Sequence, residues 1–418
     1  MLIPDLYALY AQHFLVDTDT RNIRKNTLFF ALKGDNFNGN LFASEALEKG
    51  ASYSIVDEAC FATDDRIILV PNALEALQEL ARYHRNQLNI PVIGLTGSNG
   101  KTTTKELIHA VLRKKYQVSA TLGNLNNHIG VPLTLLAMTP KTEIGIVEMG
   151  ANHPQEIAFL CSIAQPNYGY ITNFGKAHLE GFGSLEGVIT AKSELYDYLE
   201  AHQKTAFVNP DDTTQVSKTA KLQRVFFDTQ QLHYLSANPC IALSYKEESI
   251  TTKLVGSYNY TNIAAAITIG HHFKVPQEQL IAAIRSYTPT NNRSQVLKTK
   301  HNSLILDAYN ANPTSVKAAL ENFKALEASN KVLILGDMFE LGESSTVEHQ
   351  AIAILAQEHG FSHCYLIGKQ YAQIATAFQT FETFEAFTRF LNNNPIQGHT
   401  ILIKGSRGMA LERVKEWL

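Results

Sequence analysis

One short segment constrains the fold of this 418-residue chain more than any other. An apolar run at residues 92–95 leads into TGSNGKTTT at residues 96–104, and a helical pattern follows at residues 106–113. Glycines in such a loop let the backbone close around an anion, and the amides at a helix N-terminus point toward phosphate oxygens. The segment therefore predicts a phosphate-binding turn between a buried parallel strand and a helix.

The residues of this loop form the first predicted binding site. Lys101 is expected to reach the β- and γ-phosphates of ATP, and the Thr102 hydroxyl is expected to hold Mg²⁺. Leu95 stands where the general GxxxxGK[ST] pattern has glycine, so the loop is a shortened variant, and a chance glycine-rich turn is the alternative. The predicted nucleotide contacts in the loop are Thr96, Gly97, Ser98, Asn99, Gly100, Lys101, Thr102 and Thr103.

Strand and helix patterns alternate along the chain, which predicts an α/β protein with mostly parallel sheets. The length exceeds what one core usually serves, which favours two or three domains. The pattern of strands and helices changes along the chain, so we place the domains at residues 1–88, 89–289 and 290–418. The predicted strands are residues 27–32, 53–56, 92–95, 144–147, 168–172, 303–306, 331–335, 364–367 and 400–403. The predicted helices are residues 43–49, 73–88, 106–113, 187–199, 315–327 and 346–359.

The composition argues against several classes of protein. Lys and Arg total 36 against 39 Asp and Glu, so the chain lacks the basic excess of a typical nucleic-acid-binding protein. The 4 cysteines lie far apart without a CxxC pair, which argues against disulfides and a structural zinc site. There is no apolar run of about 18 residues and no basic segment before the first apolar residues. We therefore expect a cytoplasmic protein with no membrane partner and no signal peptide.

Three residues further along are candidates for binding a metal ion. Glu148 follows the strand predicted at residues 144–147, where a carboxylate faces the ligand crevice of an α/β sheet and suits Mg²⁺. His178 follows the next predicted strand, and a neutral imidazole can bind metal or phosphate. Lys192 lies on the helix predicted at residues 187–199, where a carbamate would turn it into an anionic ligand. Alone, each has an ordinary alternative as a solvated or packed side chain.

These motifs, in this order and spacing, resemble the ATP-dependent Mur ligases. The resemblance rests on TGSNGKTTT, on EMG at residues 148–150, and on the block that contains TNFGKAHLEGFGS and AKSE. GSYNYTNIAAA at residues 256–266 is similar to the family's adenine-side segment, although Tyr258 stands where the family usually has histidine. The resemblance implies catalytic roles for Lys101, His178 and Lys192, the last matching a lysine that is carbamylated in relatives. It implies further nucleotide contacts for Asn259, Asn262, Arg293, Asp307 and Asn310.

Within that family, five segments resemble the member that adds D-alanyl-D-alanine to UDP-N-acetylmuramoyl-tripeptide. They are TDTR at residues 18–21, GNLNNHIGVPLTLL at 123–136, DAYNANPTS at 307–315, GDMFELGESS at 336–345 and KGSRGM at 404–409. The resemblance implies a UDP-sugar-binding first domain, a central ATPase domain and a Rossmann-like third domain that brings the incoming amine. It implies substrate contacts for Thr20, Arg21, Asn38, Gly39, Asn124, Asn126, Asn127, Asp337, Lys404 and Arg407.

The implied reaction is amide-bond formation through an acyl phosphate, with ATP and Mg²⁺ as cofactors and a monomer as the working unit. A sister Mur ligase or a folylpolyglutamate-type ligase is the nearest alternative. A non-ligating P-loop ATPase and a UDP-sugar-binding regulatory protein are the alternatives from other classes. The sequence leaves open whether the third residue of the tripeptide is diaminopimelate or lysine.

Overall fold

The computed structural model describes residues 2–289, 293 and 295–418, and it has the α/β architecture that the sequence predicts. The first region contains a parallel sheet of order β1-β2-β5-β6 and a small hairpin of β3 and β4. Its elements are α1 (Ile3–Tyr10), β1 (Val16–Asp17), β2 (Leu28–Phe30), β3 (Lys33–Gly34), β4 (Phe37–Asn38), α2 (Ala43–Glu48), β5 (Tyr53–Val56), β6 (Ile67–Leu69) and α3 (Ala73–Gln87).

The second region is built on six parallel strands of order β12-β11-β10-β7-β9-β8. Its strands are β7 (Val92–Thr96), β8 (Val118–Ala120), β9 (Ile144–Glu148), β10 (Tyr168–Ile171), β11 (Thr205–Val208) and β12 (Gln223–Phe226). Its helices are α4 (Lys101–Leu112), α5 (Gly130–Leu136), α6 (Glu156–Ala164), α7 (Leu179–Phe182), α8 (Leu185–Ala201) and α9 (Thr213–Lys218).

The register of this sheet determines where ligands can bind. Strands β7 and β9 are buried along their whole length, as expected for central parallel strands covered on both faces. The amide of Met149, directly after β9, donates to Leu95 O at 2.7 Å, and the amide of Thr172, directly after β10, donates to Thr96 O at 2.9 Å. The carboxyl ends of three neighbouring strands therefore meet at one edge, next to the glycine-rich loop.

The predicted start of one helix is wrong. Helix α4 begins at Lys101 rather than at residue 106. Three consecutive threonines have low helix propensity, which pointed to a later start. Thr102, Thr104 and Lys105 are nevertheless buried. Their tertiary packing outweighs the propensity, and the helix N-terminus lies directly against the loop.

A three-stranded antiparallel sheet follows the parallel one, and no strand was predicted there. It consists of β13 (Leu232–Ala237), β14 (Cys240–Tyr245) and β15 (Glu248–Val255), and α10 (Asn259–His272) and α11 (Gln277–Ser286) come next. One apolar core joins this sheet to α4, α10 and α11, with Ile108, Ile250 and Ile263 among its fully buried members. The small sheet thus supports the helix that carries the glycine-rich loop.

The third region is a six-stranded sheet of order β16-β17-β21-β18-β19-β20, in which only the edge strand β16 is antiparallel. Its strands are β16 (Gln295–Lys298), β17 (Ser303–Asp307), β18 (Lys331–Gly336), β19 (His363–Ile367), β20 (Gln379–Phe381) and β21 (Thr400–Lys404). Its helices are α12 (Pro313–Ala325), α13 (Ser345–Glu358) and α14 (Phe384–Asn393). The predicted start of this domain at residue 290 lies outside the described residues.

Within the described residues, no helix combines the length and the apolar character needed to cross a membrane.

Candidate active site

A cavity of about 570 Å³ lies between the second and third regions. Its walls come from the loop after β7, the end of β9, the start of α10 and the segment between β17 and α12. The predicted site residues that line it are Ser98, Asn99, Gly100, Lys101, Thr102, Thr103, Asn124, Asn126, Asn127, Glu148, His178, Asn259, Asn262, Arg293, Asp307, Asn310 and Lys404. The predicted residues Thr96 and Gly97 lie outside the cavity lining, since Thr96 ends β7 and Gly97 follows it.

The segment after β10 holds the main chain of the glycine-rich loop. The Thr172 hydroxyl donates to Asn99 O at 2.6 Å, and the Asn173 side chain bonds both Asn99 N and Asn99 O, each at 3.0 Å. The Ser98 hydroxyl exchanges hydrogen bonds with Gly175 N and Gly175 O. The loop is therefore fixed before any ligand enters, with its amides and the N-terminus of α4 beside the cavity.

Lys101, the first residue of α4, folds back over this loop. Its Nζ donates to Gly97 O at 2.7 Å. Burial lowers the pKa of Lys101, the neighbouring Arg293 lowers it further, and Glu148 acts in the opposite direction. An anion in the cavity would favour the charged ammonium, as the γ-phosphate of a nucleotide does.

Glu148 ends β9 with only 1% of its surface exposed. Its Oε1 accepts hydrogen bonds from Thr102 Oγ1 at 3.2 Å and from Asn126 Nδ2 at 2.9 Å. Its Oε2 lies 3.5 Å from Lys105 Nζ but accepts no hydrogen bond from the described residues. A buried carboxylate oxygen of this kind, beside a hydroxyl and a phosphate loop, fits a hard cation such as Mg²⁺.

The described residues contain no group of three or more His, Cys, Asp or Glu side chains that could enclose a metal ion. This agrees with the usual Mg²⁺ site, in which one or two carboxylates are completed by phosphate oxygens and water. Lys105 also donates to Gly123 O at 3.1 Å, so it links the Glu148 carboxylate to the loop that carries the cavity asparagines.

His178 faces the third region across the cavity edge. Its Nδ1 lies 2.5 Å from Glu340 Oε2, and this contact holds the pKa of the Glu340 carboxyl below its usual range. The Glu180 amide donates to Glu340 O at 3.2 Å, which adds a main-chain link. The two regions are thus in direct contact beside the predicted metal residues.

Lys192, on α8, is fully buried although it is a lysine. Its Nζ donates to Ala151 O at 3.0 Å and lies 5.0 Å from the centre of the Phe182 ring. Burial lowers its pKa to about 7, and the charge on Lys101 contributes in the same direction. Lys192 is therefore a buried amine that is partly neutral near neutral pH.

The third-region wall carries the cationic groups. Lys404 Nζ lies 2.7 Å from Asp307 Oδ2 and also donates to Asn310 O at 3.2 Å. The Arg293 guanidinium lies 3.7 Å from the centre of the Tyr309 ring, and that of Arg407 lies 4.8 Å from it. Arg407 itself lies outside the cavity lining, behind Tyr309.

Two predicted asparagines sit behind the glycine-rich loop, at the start of α10. Asn262 Oδ1 accepts from Thr104 Oγ1 at 3.0 Å, and its amide donates to Asn259 Oδ1 at 2.8 Å. Both side chains are buried. They fix α10 against α4 and form one end of the cavity.

Three family models match the chain. They are Mur ligase family, catalytic domain, at residues 13–85; Mur ligase middle domain, at residues 95–270; and Mur ligase, glutamate ligase domain, at residues 292–407. A relative from Bacillus subtilis, UDP-N-acetylmuramoyl-tripeptide--D-alanyl-D-alanine ligase, is 35% identical over 96% of this chain and 92% of its own length. The chain belongs to the Mur ligase family.

Solved Mur ligase structures have the same overall architecture. MurF from Acinetobacter baumannii superimposes with a TM-score of 0.84 at 30% identity, over 96% of this chain and 92% of that one. The MurF ligase from Thermotoga maritima in complex with ADP gives a TM-score of 0.83 at 28% identity, over 96% of both chains.

Four predicted substrate residues of this Mur ligase lie in the first region, away from the cavity. Arg21 pairs with Asp19 at 2.6 Å and is exposed, whereas Thr20, which begins the same turn, is half-buried. Asn38 Oδ1 accepts from Asn40 N at 3.0 Å and so caps a short turn, and Gly39 packs against the backbone of residues 31–32. The motif positions of Asn38 and Gly39 are thus explained by local structure.

Asp337, predicted to contact a substrate, also lies outside the cavity lining. It is 3% exposed, and its carboxylate accepts hydrogen bonds from the amides of Gln370 and Tyr371, at 3.0 Å and 3.1 Å. The carboxylate points into the third region rather than into the cavity. The structure therefore gives no support to a substrate contact, because local amides already occupy the group.

Several cavity residues of the Mur ligase were not predicted. Asn173, Tyr309, Thr314 and Ser315 all line the cavity. Asn173 and Tyr309 follow the ends of β10 and β17, and this position at the sheet edge was the signal that could have identified them. Thr314 and Ser315 lie in the first turn of α12.

Proposed function

We propose that this Mur ligase uses ATP to join D-alanyl-D-alanine to UDP-N-acetylmuramoyl-tripeptide, giving a pentapeptide precursor of peptidoglycan, ADP and phosphate. The observation that carries the proposal is the 35% identity, over 96% of the chain, to a relative that bears this name. The cavity supports it, because a phosphate loop, a buried carboxylate and a cationic wall face one space.

The nucleotide would bind along the second-region wall. In this proposal the loop amides and Lys101 hold the phosphates, and the base and ribose lie toward Asn259, Asn262, Arg293, Asp307 and Asn310. Thr102 and Glu148 would hold Mg²⁺, with His178 close by. When bound, the ion supplies positive charge where ATP oxygens meet the substrate carboxylate.

Lys192 is proposed to carry a carbamate. Its neutral amine would attack the carbon of CO₂, form the N–C bond and release a proton, which gives an anionic ligand. Burial and a pKa of about 7 support this chemistry, since only the neutral amine reacts. Recovery of activity in Lys192→Ala on adding short carboxylic acids would support the carbamate, and an unmodified lysine in a bicarbonate-supplied crystal would refute it.

The substrates would occupy the remaining walls. Asn124, Asn126 and Asn127 are proposed to contact the peptide, although Asn127 also caps the start of α5 through hydrogen bonds from the amides of Ile129 and Gly130. Lys404 and Arg407 are proposed to attract the carboxylate of the incoming dipeptide. The UDP-sugar is proposed to bind the first region, near the half-buried Thr20 and the exposed Arg21.

The reaction requires an activated acyl donor. The γ-phosphoryl group of ATP passes to the terminal carboxylate of the tripeptide, which gives an acyl phosphate and ADP. The amine of D-alanyl-D-alanine then attacks the acyl carbon, phosphate leaves and the amine loses a proton. The residues named above contribute positioning and charge stabilisation. We place the reaction in the cytoplasm and in a monomer, since one chain supplies both walls.

The test measures phosphate release from ATP and Mg²⁺ with each substrate omitted in turn. The proposal requires release that depends on both the tripeptide and D-alanyl-D-alanine, with the pentapeptide detected by mass. Release that is indifferent to the dipeptide would leave only an ATPase. Release that depends on another amino acid or on a folate would indicate a sister or folylpolyglutamate-type ligase.

A further inference from the structure

Asn312 stands where the third region meets the phosphate loop. It is 6% exposed and precedes α12, where its Oδ1 accepts from Ser315 N at 2.9 Å. Its Nδ2 donates to Asn99 Oδ1 at 2.7 Å, and Asn99 Nδ2 lies 3.4 Å from Asn312 Oδ1. One side chain thus caps a helix of the third region and bonds the phosphate loop of the second.

Among the described residues of its own region, the Asn99 side chain has no hydrogen-bond partner. Its main-chain N and O are held by Thr172 and Asn173, whereas the hydrogen bonds of its amide group run to Asn312. The orientation of this amide, at the tip of the phosphate loop, therefore depends on the third region.

A second contact fixes the same junction. The Lys176 amide donates to Thr314 Oγ1 at 2.9 Å, and Thr314 packs within 3.0 Å of a Cβ built at Gly175. Gly175 in turn holds Ser98 of the phosphate loop. Two residues on either side of Pro313 therefore reach the loop: Asn312 directly, and Thr314 through the segment after β10.

We infer that Asn312 is a positioning residue, and that the Asn99–Asn312 amide pair couples the seating of the third region to the geometry of the phosphate loop. The main chain of the loop is held from its own region, but the Asn99 side chain would be in its binding orientation only when the region expected to bring the amine is in place. The inference rests on the proposed function for its turnover readout, whereas nucleotide affinity tests it without the peptide substrates.

Asn312→Ser is the decisive variant, because serine caps a helix about as well as asparagine but cannot reach Asn99. We expect the Kd for ADP and Mg²⁺ to rise by about two- to tenfold, as for one lost hydrogen bond, and the melting temperature to fall by no more than that loss implies. The kcat for ligation should fall as well. Asn99→Ser should have the same effect, and the double variant should be no weaker than either single variant.

Asn72→Ser is the matched control. Asn72 caps α3 by accepting from the amides of Leu74 and Glu75, and it lies outside the cavity lining. This variant should bind ADP as the wild type does. An unchanged ADP affinity in Asn312→Ser, or additive losses in the double variant, would overturn the inference. Weaker ADP binding without any ligation of the proposed substrates would keep the inference and refute the proposed function.

Discussion

At the scale of single residues, the cavity is defined by charged groups that the fold buries before any ligand arrives. Glu148, which lines the cavity, is almost fully buried, and its Oε2 accepts no hydrogen bond from the described residues. Lys192 is also buried, although it lies outside the cavity lining. Burying such groups is unfavourable unless a partner compensates. A buried carboxylate that can hold a cation, next to a loop that can hold an anion, is the combination that a nucleotide and its metal ion require.

Replacing Lys101 by alanine tests the phosphate assignment. Because the Lys101 ammonium lies directly against the loop, bonded to Gly97 O, we expect kcat/KM for ATP to fall by about 10²–10³-fold with the fold retained. Circular dichroism and steady-state kinetics would measure this. Lys114→Ala, an exposed lysine just after the same helix, is the control and should keep wild-type kinetics. Near-wild-type turnover in Lys101→Ala would refute the assignment.

Lys192 gives a prediction about stability and pH for the unmodified lysine. Its folded pKa of about 7 lies below the unfolded value of about 10.4, so between these pH values the unfolded chain binds the proton and the folded chain does not. Stability should therefore rise with pH across this window. Lys192→Met should raise the free energy of unfolding most at pH 7 and below, and least near pH 10.

Urea unfolding of both proteins at several pH values, in CO₂-free buffer, would check this. A stability gain that grows with pH would contradict the assignment of Lys192 as a buried, mostly neutral amine.

At the scale of secondary-structure elements, the turn that leads from the phosphate loop into α4 matters most for the predicted nucleotide site. Gly100 has φ of +79°, and a Cβ there would lie 2.7 Å from Asn262 Oδ1. Gly360 has nearly the same φ, +78°, but a Cβ there would meet nothing within 4 Å. Comparing alanine substitutions at the two glycines therefore distinguishes the cost of backbone strain from the cost of a steric clash with Asn262.

Alanine at either glycine should therefore cost about 1–2 kcal/mol of stability through left-handed strain. Only Gly100→Ala should also weaken ADP binding, by about tenfold or more, because the loop must move away from Asn262. Titration calorimetry with ADP would compare the two variants. Equal affinities would show that the turn does not depend on this contact.

The elements also show how far the sequence could predict the structure. The predicted strands and helices lie within two residues of those observed, apart from the start of α4, because buried parallel strands form apolar runs that are easy to recognise. No prediction was made for the antiparallel strands β13–β15, since alternating patterns on a partly exposed sheet resemble loops. Other elements, such as β8, β11, α5 and α10, were not predicted either.

Cavity-lining positions were predictable where a motif stands at a strand end facing the cavity, as with Glu148 and the glycine-rich loop. The same kind of motif can also serve local structure outside the cavity. Asp337 follows β18, but backbone amides saturate its carboxylate, and Asn38 caps a turn of its own. The Asn99–Asn312 hydrogen bond joins residues 213 positions apart in sequence, so it could be identified only in the structure.

At the scale of the whole molecule, the cavity exists only where two regions meet. Its second-region wall holds the phosphate loop, and its third-region wall holds Lys404 and Asp307. Direct contacts join the two walls at Asn99–Asn312 and at His178–Glu340. A nucleotide bound between them should therefore stabilise both regions together.

Saturating ADP and Mg²⁺ should raise the melting temperature of the wild type, since a ligand at about 100 times its Kd stabilises the folded state by about 2.7 kcal/mol. Differential scanning calorimetry would measure the shift. Lys101→Ala should lose most of it, whereas Lys114→Ala should retain it. An equal shift in all three proteins would place nucleotide binding elsewhere.

The most direct test of the central claim follows oxygen atoms through the reaction. The terminal carboxylate of the tripeptide would be labelled with oxygen-18, and the products would be analysed by mass spectrometry after ligation to D-alanyl-D-alanine. An acyl phosphate predicts one labelled oxygen in the released phosphate, with ADP and pentapeptide formed in equal amounts. Label in AMP with release of pyrophosphate, or unlabelled phosphate without pentapeptide, would contradict the account.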